Sequence, residues 1–306
     1  MTRGWIRDLV GDASFEQLAR TLSGSELQSV LLEVIGARAA ARKPSEVLAQ
    51  YERDRFCTPA AVDLRASVAI DGHLLAAAAA FEAIELGPVA PLAACSSVAP
   101  TAQHRVLSAL RGTEVMSDPT NVLALECAAR MRRGEHAAIH LATSQRVVRA
   151  QPVPKKPGHA QHFRLFALAT GGIEAQDHAF TVDAVALHVR TMLDGLRRLT
   201  DHGYDFGAPR VVVHATEARA KLADRVALRL GEAGAAIERA PLDHAYYSGG
   251  LRYQIWVVPP GGSPLPLIDG GTFDWLTQLT ANRRAVYVAS GAGAQLIASQ
   301  FASAPR

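Results

Sequence analysis

Residues 143–170 read TSQRVVRAQPVPKKPGHAQHFRLFALAT. The stretch is a strand, a Pro/Gly/Lys-rich loop and a returning strand. Two arginines and a glutamine mark the first arm at the spacing Arg146-x-x-Arg149-x-Gln151. In an extended arm successive side chains alternate between faces, so Arg146 and Val148 share one face and Val147, Arg149 and Gln151 the other. A guanidinium among valines needs an anionic partner if it is buried, and phosphate or carboxylate suits its planar fork. A partly exposed hairpin with snorkelling arginines satisfies the same pattern. His159-x-x-His162 has metal-like spacing but no third ligand nearby in sequence, so no metal site is expected.

Outward from the hairpin, other elements are predicted. His178–Leu199 is an amphipathic helix, Arg210–His214 a buried strand, and residues 217–233 a helix closed by Gly234. The segment LRYQIWV alternates, PGGS is a turn signal and LPLID returns as its partner. AVYVASG is a strand and AGAQLIASQF a helix. Before the hairpin, Ile70–Ile84 reads as an Ala-rich helix and Thr113–Met116 as a strand. Asp118-Pro119 is an N-cap followed by Pro at the first helical position. Hairpins dominate over βαβ units, so the fold class is α+β, a mainly antiparallel sheet flanked by helices. Residues 1–60 form a helical N-terminal extension, with a capping box at Ser23-x-x-Glu26, and residues 61–306 the core domain. The extension carries no chemistry motif and reads as a helical cap or a docking surface.

The 306 residues are 49% apolar and 20% charged, ordinary for a globular chain long enough to bury a full core. A net charge of +3 argues against nucleic-acid binding by bulk charge. Three widely spaced cysteines indicate neither a disulfide framework nor a zinc site and fit a cytoplasmic location. No signal peptide or membrane span is expected. There is no P-loop, dinucleotide fingerprint or Gly-x-Ser-x-Gly.

The order of these signals resembles the core of class II aminoacyl-tRNA synthetases, above all histidyl-tRNA synthetase and its relative, the regulatory subunit of ATP phosphoribosyltransferase. Arg146-Val-Val-Arg149-Ala-Gln151 is similar to the second signature Arg-x-Glu-Arg-x-Gln, with Val148 in place of the glutamate. Residues 152–161 resemble its loop. Ser117-Asp118-Pro119-Thr120 resembles the turn that contacts the amino acid. Tyr246-Tyr247 resembles the paired tyrosines of the histidine-binding segment, and Gly270-Gly271-Thr272-Phe273-Asp274 its Gly-Gly-Arg-Tyr-Asp partner. Residues 286–296 resemble the third signature. The resemblance implies a homodimer, through a first signature at Gly87–Pro91, and admits a protein partner.

Departures from the family pattern shape the expected function. Ala294 or Gln295 stands where the third signature places a phosphate-holding arginine, and a neutral amide cannot replace that charge. Leu242-Asp243-His244-Ala245 stands where histidyl enzymes carry a second arginine. Leu165 and Ala169 replace polar ligand-contacting residues of the returning strand. The chain shows no anticodon-binding segment after the third signature, so tRNA binding is not expected. The expectation is a paralogue without catalytic residues assigned. It binds a small amino-acid-like or nucleotide ligand in a regulatory role. Arg146, Arg149 and Gln151 are the expected anion-binding residues. Asp118, Thr120, Tyr246, Tyr247, Gly270, Gly271 and Asp274 are the expected ligand-binding residues, with Arg146, the tyrosine pair and the two glycines bordering one cleft. Each has a structural reading beside this: capping for Asp118 and Asp274, sheet packing for the tyrosines, a bulge for the glycines. The alternative is an adenylate-forming ligase for a non-histidine amino or carboxylic acid. ATP and Mg2+ would then be cofactors, and Arg252, Arg283 or Arg284 the stand-in cation.

Overall fold

A computed structural model describes residues 4–135, 137–152, 160–231 and 237–303. The hairpin loop with Lys155, Lys156 and His159, and the helix stop at Gly234, lie outside the described residues. In chain order the helices are α1 (Gly4–Val10), α2 (Asp12–Glu16), α3 (Gly24–Ala40), α4 (Pro44–Tyr51), α5 (Leu64–Ala77), α6 (Pro119–Arg132), α7 (Ala179–Thr200), α8 (Ala220–Gly231), α9 (Trp275–Thr280) and α10 (Ala294–Gln300). The short strands β1 (Glu82–Ala83), β2 (Val89–Pro91), β3 (Ser108–Ala109) and β4 (Thr113–Val115) precede the long hairpin β5 (Ile139–Val148) and β6 (His162–Ile173). They are followed by β7 (Arg210–Ala215), β8 (Ile237–Pro241), β9 (Leu251–Val257), β10 (Leu265–Phe273) and β11 (Ala285–Ala292).

Eight strands form one sheet in the order β1-β5-β6-β11-β10-β9-β7-β8, and β2-β4-β3 form a smaller one. The large sheet is antiparallel except at its edges, where β1 runs parallel to β5 and β8 parallel to β7. Segment 237–241, given no element from sequence, is that second parallel edge. The helix expected at Ile70–Ile84 is displaced to Leu64–Ala77. Asp63 caps it through the Arg65 amide, and Glu82–Ala83 leave it to pair with Leu141–Ala142.

Period-two alternation sorts the sheet into two faces. On β6, Phe166 and Leu168 enter the larger core with Ile70 and Leu74 of α5, Val189 of α7 and Val226 of α8. Ala167 and Ala169 face the other way, into a smaller core with Leu123 and Cys127 of α6 and Leu276 of α9. That small-residue side lets α6 approach closely. A Cβ on Gly171 would stand 2.8 Å from Leu276 Cδ1 and 3.1 Å from Cys127 Cβ. Helices α6 and α9 pack on this second face beside a broad cavity. None of α1–α4 buries a residue. No helix among the described residues is long and apolar enough to cross a membrane.

Candidate ligand cavity

A cavity of about 610 Å3 opens on this second face, within the usual size of small-molecule sites. Its floor is Phe163, Leu165 and Ala167 of β6 with Ala289 and Gly291 of β11. Leu165 is thus apolar floor, while Ala169 is buried in the smaller core.

One wall is the turn into α6. Asp118 occupies the N-cap, and its Oδ1 accepts from the Thr120 amide at 3.0 Å and the Thr120 hydroxyl at 2.8 Å. The other oxygen accepts from Arg149 at 3.4 Å. Arg149 also donates to the Ser117 carbonyl at 3.0 Å, and its guanidinium lies 5.1 Å from the Phe163 ring centroid. Capping and cavity lining therefore coexist at Asp118. Gln151 lines the cavity just beyond Arg149.

The opposite wall is built across β9 and β10. Asp269 takes a bidentate pair from Arg252 at 2.9 and 2.5 Å and a hydrogen bond from the Tyr247 hydroxyl at 2.5 Å. Arg252 also stacks over the Tyr247 ring, 5.0 Å from its centroid. Burial first, and the carboxylate beside it second, hold the Tyr247 phenol far above its ordinary range, so it remains a donor. The hydrogen bonds to Asp269 likewise raise Arg252. Tyr246 packs edge-on against Tyr247, Phe273 and Trp275. Its hydroxyl has no hydrogen-bond partner among the described residues, and burial followed by the charge of Asp118 keeps it protonated.

Gly270 and Gly271 have ordinary strand backbone and no positive φ. Their requirement is space. A Cβ on Gly271 would stand 2.4 Å from the Leu251 carbonyl oxygen and 2.6 Å from Tyr247 Cδ1, and one on Gly270 2.6 Å from Ser290 Oγ. The sheet irregularity falls earlier, between Pro266 and Ile268. Gly270 lines the cavity and Gly271 seats the tyrosine. Asp274 heads α9, where it accepts from Ser248 and Gln278, and it does not line the cavity.

The structure corrects the expected placement of Arg146. Its face is the one shared with Ser144 and Arg164, toward α5, where Asp71 accepts from both at 2.6 and 2.7 Å. Arg146 contacts His162 at 2.6 Å and donates to Gln295 Oε1 at 3.4 Å. Burial and the nearby Arg164 lower its affinity for its proton. The cleft is therefore shared by Arg149, Gln151, the tyrosines and Gly270, with Arg146 outside its lining. Arg105, which has no ion pair among the described residues, and Arg164 line it as well. Arg283 and Arg284, in the turn before β11, do not.

Sequence reasoning missed Asp269, Arg105, His244 and Cys95, and it named Arg252 only as a stand-in cation, not as the partner of Asp269. The signal for Asp269 was its position directly before the double glycine. Arg105 ends a single 3-10 turn, Gln103–Arg105, and offered none. The Cys95 thiol lines the cavity beside Ser117 Oγ at 3.1 Å, and burial raises it above its ordinary range, so it stays protonated. Among the described residues no cluster of three or more His, Cys, Asp or Glu side chains could hold a metal.

No family model matches the chain, and no curated protein matches it. Solved structures do. An ATP phosphoribosyltransferase regulatory subunit/histidyl-tRNA synthetase from Bacillus halodurans superposes with a TM-score of 0.58 at 12% identity, covering 79% of this chain and 82% of that one. A histidine–tRNA ligase subunit from Alicyclobacillus acidocaldarius gives 0.56 at 15% identity, covering 77% and 92%. Apo histidyl-tRNA synthetase of S. aureus gives 0.54 at 12% identity, covering 76% and 64%. At these identities the likeness concerns the fold, which is that of the class II synthetase core.

Proposed function

We propose that this class II synthetase-like chain holds a small amino-acid-like or nucleotide ligand in a regulatory role and does not charge tRNA. The observation that carries the reading is the polar set on the cavity walls. A zwitterion offers an ammonium group, which needs acceptors, and a carboxylate, which needs a guanidinium. Asp118, Asp269 and the Tyr246 hydroxyl supply the first and Arg149 the second. Gln295 lies at the cavity edge where the family pattern has an arginine, and a neutral amide there suits binding better than phosphoryl transfer. The regulatory subunit named among the structural neighbours supports work alongside a protein partner. We further propose a cytoplasmic homodimer, with Gly87–Pro91 contributing to the contact.

The second reading is an ATP-dependent, adenylate-forming ligase for a non-histidine acid, with Mg2+ carried on the nucleotide phosphates. Arg105 in the lining favours it, because it is a cation beyond the Arg149–Asp118, Arg252–Asp269 and Arg164–Asp71 pairs. Thermal shift and calorimetry with amino acids, ATP and phosphoribosyl compounds, beside pyrophosphate–ATP exchange, separate the two. The regulatory reading expects a raised melting temperature and no exchange. Exchange that disappears in Arg149→Ala or Arg146→Ala overturns it, and no shift with any compound overturns ligand binding.

A further inference from the structure

Five glycines stand in the strands of the large sheet, and packing requires four of them. A Cβ on Gly171, Gly172, Gly270 or Gly271 would stand under 3.0 Å from a neighbouring atom. Gly291 of β11 differs. The nearest atom to a Cβ there is the Phe166 carbonyl oxygen, at 4.0 Å, and the φ of Gly291 is not positive. Neither the backbone nor the packing forbids a side chain at this position. The space it leaves belongs to the cavity, whose floor it helps to form.

Gly291 pairs with Ala167 of β6 and with Asp269 of β10, and Ala289, two residues earlier, faces the same way. Ala167, Ala289 and Gly291 thus make a recess in the floor, beside the bulkier, half-buried Phe163 and Leu165. The floor of this recess offers a ligand no hydrogen bond. The backbone groups of β11 are engaged in the ladders to β6 and β10. Ser290, between the two small residues, turns its hydroxyl to the opposite face, where it meets His188 at 2.7 Å. A hydroxyl, amide or imidazole lying in the recess would give up water and gain no partner. An alkyl group or a phenyl ring gains by leaving water.

Asp269 lies one strand spacing from Gly291, ~4.8 Å, so an ammonium group held at that carboxylate brings the substituents of its carbon over the recess. We propose that the ligand is an α-amino acid with an apolar side chain seated at Gly291, and that Gly291 sets how large that side chain can be. The inference rests on the amino-acid form of the reading above. It narrows that reading against a nucleotide, whose ribose hydroxyls have no partner on this floor.

Calorimetry on the full chain with leucine, phenylalanine, alanine, histidine and ATP tests it. Leucine or phenylalanine should bind about tenfold or more tighter than histidine. Gly291→Val should weaken leucine by about tenfold or more and alanine by less than about threefold, because only the larger side chain reaches into the filled recess. Circular dichroism confirms folding, and Gly291→Ala, which adds a single methyl, gives a smaller loss in the same order if the valine variant misfolds. Histidine bound as tightly as leucine and phenylalanine overturns the apolar recess and leaves an amino-acid ligand standing. Leucine affinity unchanged in both variants overturns the seat at Gly291. ATP bound without any amino acid, or no binding at all, overturns the amino-acid reading itself and this inference with it.

Discussion

Replacing His188 by glutamine should remove a large part of the protein's sensitivity to mild acid. His188 lies fully buried on α7 under the sheet. One ring nitrogen is 2.9 Å from Thr170 Oγ1 and the other 2.7 Å from Ser290 Oγ, which in turn meets the Tyr253 hydroxyl at 2.5 Å. Burial, with a smaller contribution from His140, pushes its pKa down from 6.5 to about 3. The folded state thus refuses a proton that the unfolded chain accepts below pH 6.5. The stability tied to neutral His188 is complete above that pH and is lost as the pH falls toward 3. At pH 5, ~1.5 units below the unfolded value, the loss is about 2 kcal/mol at 1.36 kcal/mol per unit. His140 and His73, also lowered by burial, act in the same direction and are present in both proteins. The lowered carboxylates Glu26, Glu82 and Asp194 lose their contribution only at lower pH. Urea unfolding at pH 7 and pH 5, followed by circular dichroism, reads the effect. The variant loses about 1 kcal/mol at pH 7 through poorer hydrogen bonds, but should fall by roughly 2 kcal/mol less than wild type between the two pH values. Parallel losses would refute the argument that the proton is excluded at this position.

Gly271→Ala should destabilise by about 2–4 kcal/mol, because the added methyl meets a backbone carbonyl that cannot move aside, whereas Gly87→Ala, at 3.4 Å from its nearest neighbour, should stay within about 0.5 kcal/mol. Denaturant melts of the two compare them. Arg149→Ala should weaken binding of a carboxylate-bearing ligand about tenfold or more by calorimetry with only a small change in melting temperature, and equal affinity in the variant would remove Arg149 from the site. Arg252→Ala leaves Asp269 with Tyr247 alone. Since the Asp269 side chain is 37% exposed, the stability loss should be about 1 kcal/mol, and a double-mutant cycle with Tyr247→Phe should show the two effects are not additive.

Some of this molecule was written locally. The stretch after the Pro/Gly/Lys loop announced a returning strand, and Asp118-Pro119 announced a helix start. Those signals need only a few neighbouring residues, and they are borne by the hairpin and by α6. The paired glycines stood out in the sequence, but their neighbours did not: Gly271 makes room for Tyr247 and the Leu251 carbonyl, and Gly270 for Ser290 and Tyr253. The wall made by Arg252, Asp269 and Tyr247 joins two adjacent strands and a preceding loop, so no single stretch displayed it. Arg105 reaches the cavity from a 3-10 turn just before β3 of the small sheet.

The hairpin shows where local information ends. Sequence determined that Arg146 and Arg149 point to opposite faces, because the strand repeat is two. It could not determine which face would be filled by α5 and α7 and which would stay open beside α6, because that depends on helices drawn from distant parts of the chain. Packing against those helices set Arg146 beside His162 and Gln295 and left Arg149 facing the cavity.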